Sequence, residues 1–351
     1  MRLAVSAMLV TLLGLWGIVA TRVQAQEKWS PAVMKVVAAA KKEGRLNFYG
    51  VNLSPQDVKK LEQGLNKTFG TNLVLEHEPS RNFNTKTATM VSEAKAGMPS
   101  PNDAVNASAY GIDVLGREGL LRDLESLPNM FPNIKANWII NNHQAMTFWH
   151  GVYGPVYNTN LVLKDKAPKK WEDLLSPAWK DKMVISTGFD AFTALAESWG
   201  VDRVLEFLRK LKGQNVAIDR GATAVLQRVA AGEFPLAAAQ IYGTMKRIRG
   251  KGAPIEMAFV EPVPMAATYL VLPKNSAHPN AGLLFMAYIM SPEGHALYEE
   301  LSGLSSAFVE TSSLKELLKG KILAALSPEW ALKGGQMVPQ WANVLGIKAG
   351  E

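Results

Sequence analysis

Residues 183–242 read MVISTGFDAFTALAESWGVDRVLEFLRKLKGQNVAIDRGATAVLQRVAAGEFPLAAAQIY. Three short apolar runs, Met183-Val184-Ile185, Val216-Ala217-Ile218 and Leu236-Ala237-Ala238-Ala239, each lead into a segment of helical character. The last two of these helices are expected to start at Thr223 and Tyr242. Short buried strands alternating with amphipathic helices are the pattern of an α/β protein whose sheets are covered by helices.

The same alternation runs upstream. Ser30 and Pro31 open a predicted helix that Gly44 ends, because serine caps the free N–H groups and proline at the first helical position loses no bond. The strand Leu46–Tyr49 follows, and Ser54-Pro55-Gln56-Asp57 is a capping-box-like start to a helix carrying Val58, Leu61, Leu65 and Phe69 at helical spacing. Leu73–Leu75 and Asp103–Ala107 read as strands on either side of a helix from Thr87 to Ala96. After a loop-rich stretch from Pro128 to Asn142, the run Met146–Tyr153 is expected to make the first crossing between two lobes. The chain returns through Met257 to Tyr269, where Pro262 and Pro264 are expected to limit regular structure. Two βα series with a return leg predict two lobes across a cleft. Residues 26–146 and 261–304 form the first, 147–260 the second, and 305–351 helices pack on the second. No internal repeat or low-complexity tract interrupts them.

The first 25 residues give an address. Arg2 precedes an apolar run from Leu3 to Ala20, and Val23 and Ala25 fit the small positions before a signal peptidase cut. A cleaved signal peptide over 1–25 places the mature chain outside the cytoplasm, and with no cysteine at the cut to carry a lipid it is expected free in a periplasm.

Of the 351 residues 48% are hydrophobic and 20% charged, an ordinary globular balance. The formal charge of +7 includes Arg2 and Arg22, which leave with the signal. Scattered lysines read as solvated helix faces, and the denser cluster Lys246, Arg247, Arg249, Lys251 lacks the interleaved aromatics of a nucleic-acid surface. Zero cysteines exclude a disulfide framework, a thiol nucleophile and a thiolate metal site.

Three further groups of segments carry a resemblance. Tyr157-Asn158-Thr159-Asn160-Leu161-Val162 is followed by Pro168–Leu175 and Pro177–Lys182; then come Ala230–Leu236, and His278–Ala281 running through Phe285 to Ser291-Pro292-Glu293-Gly294. Trp171, Leu174, Leu175 and Trp179 are core anchors by size alone. In order and spacing these segments resemble the periplasmic substrate-binding proteins of ABC importers, in the branch that includes ferric-ion binders. The resemblance implies a two-lobed type II fold of the Venus flytrap kind, each lobe a mixed sheet flanked by helices. It also implies a protein that captures a small solute by hinge closure and delivers it, as a monomer, to a membrane permease powered by a separate ATPase subunit. No cofactor is expected.

In that fold the ligand sits in the cleft, on loops after strands and on helix N-termini. The matching positions are Asn52, Ser54, Asn106, Ser108, Tyr153, Ser186, Thr187, Arg220, Thr223 and Tyr242. Ser54, Thr187 and Thr223 have the alternative reading of helix caps. Ferric binders of the branch present adjacent tyrosines, since hard phenolates suit a hard cation. Here Gln240-Ile241-Tyr242-Gly243 supplies one, Tyr242, and Tyr49-Gly50-Val51-Asn52 lacks the Tyr-x-x-Arg arrangement. The expectation is therefore a small anionic or polar organic solute gripped by Arg220, hydroxyls and backbone N–H groups, with Arg81 a second anion candidate. Ferric ion is the alternative cargo. An exported hydrolase is the remaining class, but His77-Glu78 has no second histidine at zinc-site spacing, and no Gly-x-Ser-x-Gly elbow or phosphate-binding glycine loop occurs. The chain is not expected to be an enzyme.

Overall fold

The structure, a computed structural model, describes residues 29–347 apart from 52 and 81. The signal-peptide expectation over 1–25 lies outside the described residues. So do Asn52 and Arg81.

Helix α1 (Pro31–Glu43) has Ser30 as N-cap and ends at Gly44 in the left-handed conformation. β1 (Arg45–Gly50), α2 (Pro55–Phe69), β2 (Val74–Pro79), α3 (Phe83–Lys95), β3 (Ala104–Ala107) and α4 (Ala109–Arg117) follow. The short α5 (Leu127–Met130) and β4 (Ile139–Ile140) lead to β5 (Ala145–Asn158). β6 (Met183–Ser186), α6 (Asp190–Trp199), α7 (Val201–Gly213), β7 (Ala217–Asp219), α8 (Ala222–Ala230), β8 (Leu236–Ile241) and α9 (Tyr242–Arg249) make the second βα series. β9 (Ile255–Met257), β10 (Val263–Val271), α10 (Pro279–Ile289), α11 (Pro292–Ser302), α12 (Ser313–Leu317), β11 (Leu323–Leu326) and α13 (Pro328–Leu345) complete the chain.

The strand order β2-β1-β3-β10-β5-β8-β6-β7 contains two sheets joined by one strand. β5 pairs antiparallel with β10 from Met146 to Val152, then with β8 from Tyr153 to Tyr157, so its two halves belong to different sheets. In the first sheet β1 runs parallel to β2 and β3 while β10 runs antiparallel to β3. In the second, β6 is parallel to β7 and β8. This is the mixed, helix-flanked, two-lobed α/β architecture expected. The parallel strands β3 and β6 lead at their carboxyl ends into Ser108–Tyr110 and Asp190 at the junction, and ligands bind beyond such ends in open α/β sheets.

Each sheet has its own core. Phe48, Phe148, Phe285 and Tyr298 are buried in the first lobe, and Trp171, Phe192, Phe207 and Trp341 in the second. Trp171 and Leu174 are fully buried, with Trp171 Nε1 donating to the Pro262 carbonyl, whereas Leu175 and Trp179 pack at the edge.

Three local expectations change. β10 is a nine-residue strand despite Pro264, because pairing with β5 begins one residue later at Met265 and the missing N–H costs no bond there. α3 starts at Phe83 rather than Thr87, since Asn82 accepts from the N–H groups of Asn84 and Thr85. Neither Thr187 nor Thr223 caps a helix: Phe189 and Gly221 occupy those positions, without side-chain bonds.

Candidate functional site

A cavity of about 500 Å³ opens where the lobes meet. Phe83, Asn84, Ser108, Ala109 and Tyr110 wall it from the first lobe, and Asp190 and Thr193 from the second. Trp149 and Tyr153 of β5 and Ala266–Thr268 of β10 form the linking strands' share of the wall. α13 supplies the remaining side through Ala331, Leu332, Gly334, Gly335 and Val338. That size suits one small molecule.

The wall is built from caps and strand ends. Ser108 is the N-cap of α4, accepting from Gly111 N at 3.1 Å and donating to Asn84 Oδ1 at 2.9 Å. Trp149 is held by Asn106, whose Oδ1 accepts from the indole Nε1 at 3.0 Å while its Nδ2 donates to the Tyr269 carbonyl. Asn106 is fully buried, so it positions a ring of the wall. Tyr153 Oη donates to Asp190 Oδ2 at 3.2 Å. Tyr153 is partly buried and Asp190 is exposed at the mouth, with protein crowding the carboxylate from the cavity side. Desolvation by that neighbouring protein raises the Asp190 pKa, partly offset by the bond from Tyr153. It also lifts the Tyr153 phenol well above its ordinary value, with the Asp190 charge adding to the effect. Tyr153 is therefore a neutral phenol at physiological pH.

α13 comes close because Gly334 lacks a side chain: a Cβ there would stand 2.7 Å from Thr193 Cγ2. The same helix packs on α6 and α7 of the second lobe and on α4 of the first.

Of the residues predicted from sequence, Ser108 and Tyr153 line this cavity. Ser186 is buried near it, accepting from Gln240 Nε2 at 3.4 Å, and Gln240 Oε1 is buried with no partner. Thr187, Arg220 and Thr223 are not among the lining residues; Arg220 and Thr223 are exposed around the turn into α8. Tyr242 turns its ring toward Phe259, with centroids 5.6 Å apart. Ser54 closes a capping box with Asp57 and borders a separate depression shared with Lys246 and Glu299. Replacing Ser54 by alanine is expected to lower stability by about 1 kcal/mol and leave solute affinity unchanged. Denaturant unfolding and titration calorimetry on the same variant check both halves.

Sequence reasoning missed Phe83, Tyr110, Trp149, Asp190 and the α13 glycines. Asp190 had a local signal, since it begins the helix directly after the Ser186-Thr187-Gly188 turn. The α13 residues, some 140 positions from Asp190 in sequence, had none. Among the described residues one group of three metal-ligating side chains occurs, Asp123, Glu125 and His143, exposed on the surface and outside the cavity wall.

A sequence profile of the bacterial extracellular solute-binding proteins matches residues 112–330, most of the described chain. The chain belongs to that family. Solved structures with the same fold include iron-bound HitA from Pseudomonas aeruginosa, 16% identical, covering 86% of this chain and 99% of that one with a TM-score of 0.69. The Atu4243–GABA receptor is 18% identical over 88% and 99%, with a TM-score of 0.65. AfuA from Actinobacillus pleuropneumoniae, with fructose-6-phosphate bound, is 16% identical over 87% and 99%, with a TM-score of 0.63. Comparison with curated protein sequences finds no match. Extracellular solute-binding proteins of ABC transporters are binders rather than enzymes and work on the periplasmic side of the membrane. No helix among the described residues is long and apolar enough to cross a membrane.

Proposed function

We propose that this solute-binding protein captures a small polar organic solute in the cavity between its lobes, closes on it and hands it to an inner-membrane ABC permease. The observation that carries this reading is the composition of the wall: both lobes, both linking strands and α13 contribute to one cavity of about 500 Å³. A ligand touching both lobes favours the closed state by its differential affinity, with β5 and β10 absorbing the rotation. The moving units are 26–146 with the part of 261–304 beyond β10, and the part of 147–260 beyond Val152 with the C-terminal helix α13, Thr147–Val152 of β5 staying paired with β10 as the hinge. The mature protein acts as a periplasmic monomer, freed by cleavage of residues 1–25, and needs no cofactor.

Iron-bound HitA, the Atu4243–GABA receptor and fructose-6-phosphate-bound AfuA share this fold, so the likeness supports capture and leaves the choice of solute to the side chains. Those side chains do not favour ferric ion, because Tyr242, the tyrosine expected to hold it, packs on Phe259 and is not among the residues lining the cavity.

A thermal-shift screen of the purified protein against metals, sugars, phosphorylated compounds, carboxylates and amines tests the reading. A binder present at about 100 times its Kd adds roughly 2.7 kcal/mol to the native state and raises Tm. Loss of that rise in Tyr110→Ala, with an unchanged melt in the absence of solute, is the expected result. A rise that survives this variant would place binding elsewhere.

A further inference from the structure

We infer that the solute carries a cationic nitrogen, seated on the Asp190 carboxylate among the rings of Trp149, Tyr153 and Tyr110. This rests on the reading that the interlobe cavity is the solute site.

The wall of that cavity holds most of its side-chain hydrogen-bond donors in contacts with the protein. Ser108 donates to Asn84 Oδ1, Tyr153 to Asp190, Thr193 to the Phe189 carbonyl at 3.1 Å, and Thr268 to the Trp149 carbonyl at 3.4 Å. The Trp149 indole N–H goes to Asn106. Among the described lining residues this leaves the Asn84 amide and the Tyr110 hydroxyl as side-chain donors. An anion needs several donors to replace its hydration. The side chains of this wall offer few, and its backbone N–H donors are those at the starts of α4 and α6, the latter beside the Asp190 carboxylate.

Acceptors are in surplus. Asp190 has a neutral phenol as its hydrogen-bond partner and no paired cation among the described residues. Pro339 within α13 has no N–H, so the carbonyl of Gly335, on the cavity wall, is left without its helical donor four residues on. A carboxylate and a released carbonyl both call for a ligand that donates.

Charge points the same way. No lysine, arginine or histidine lines the cavity among the described residues, and its one ionisable carboxylate, Asp190, is exposed at the mouth with Tyr153 as its hydrogen-bond partner. Aromatic faces attract cations, and more strongly where water is excluded. Trp149 is held rigid by Asn106, so its ring is presented without an ordering cost at binding.

The experiment compares matched probes on the full exported chain by calorimetry: choline against its uncharged isostere 3,3-dimethylbutan-1-ol, 1,4-diaminobutane against 1,4-butanediol, and phosphate and citrate as anions. Saturable binding of at least one cation, about tenfold or more tighter than its neutral isostere, is the expected result. Asp190→Asn is expected to lose about tenfold or more of that affinity, while Asp190→Glu keeps the preference for cations. The wild-type isostere comparison stands even if a variant folds poorly. Equal binding of cation and isostere, preferential binding of an anion, or no cation binding up to about 10 mM would each overturn the inference. If Asp190→Asn leaves cation binding intact while Tyr110→Ala abolishes it, Asp190 is not the seat but the cavity reading survives. If neither variant changes it, the cavity reading falls as well.

Discussion

Glu299→Ala is expected to unfold about 3–6 °C below the wild-type protein, the largest loss for any single side chain at the junction of the lobes. Glu299 lies on α11 of the first lobe with little exposure, and Lys246 Nζ reaches it from α9 of the second at 2.6 Å. It also accepts from Ser313 N at 3.2 Å and from the hydroxyls of Ser313 and Ser305. Burial alone would raise its pKa, but Lys246 and the serine donors outweigh that and hold it down to about 2. Removing the carboxylate leaves a half-buried ammonium and several donors unpaired. Breaking a buried pair costs about 3–5 kcal/mol, which we reduce to about 2–4 because Lys246 remains 37% exposed. For a chain this long 1 kcal/mol is worth about 1.5 °C in Tm.

The surrounding packing makes relaxation difficult. Gly243 at the start of α9 and Gly303 at the end of α11 approach so closely that a Cβ on either would stand 2.7 Å from the other's carbonyl oxygen. The lobes therefore meet backbone to backbone beside the ion pair. Differential scanning calorimetry of Glu299→Ala, Lys246→Met and the double variant measures the coupling. A double variant no more stable than the sum of the singles predicts would remove the pair from the account, and an unchanged Tm in Glu299→Ala would refute the claim outright.

Features of the fold that depend on neighbours in sequence were legible. Ser30 with Pro31 and Gly44, and Ser54 with Asp57, are read from residues within one helical turn of each boundary, and the structure has those caps. The α/β alternation follows from runs of apolar residues that any register would bury. β10 was not legible, because the penalty for Pro264 depends on where its pairing with β5 begins, and that register is set by residues more than 100 positions away.

The site divides along the same line. Ser108 and Tyr153 follow from where strands end. Arg220 and Tyr242 occupy comparable chain positions, yet chain position does not decide direction: the Tyr242 ring finds Phe259, and Arg220 stays on the exposed turn. Asn106 sits behind the wall, and its bond to Trp149 spans 43 residues, a contact that local sequence does not reveal. The α13 wall depends on a close approach that Gly334 permits, visible only once α6 is packed beneath it.

Stability is expected to fall by about 2 kcal/mol between pH 7 and pH 5 through His150 alone. His150 lies on β5 where the lobes join, almost fully buried, with its Nδ1 accepting from Ala307 N at 3.1 Å. Burial, with neighbouring His295 adding to it, lowers its pKa from 6.5 to about 4. His295 is lowered too, chiefly by burial, and its Nε2 accepts from Ser306 N at 2.8 Å. Both rings serve the fold as neutral acceptors. The folded pKa lies below the unfolded one, so below pH 6.5 the unfolded chain binds the proton first and stability drains until pH reaches about 4. The full gap is worth about 3 kcal/mol, since a tenfold change in proton affinity is worth about 1.4 kcal/mol. Glu299 adds its own loss only below its ordinary carboxylate range, and the raised pKa of Asp190 acts in the opposite sense. The difference between wild type and His150→Gln isolates the histidine, because glutamine can still accept from Ala307 N without titrating. Urea unfolding at pH 7, 6 and 5 is expected to show a steeper loss in the wild type than in the variant. Parallel losses in the two proteins would mean that His150 is already charged in the folded state.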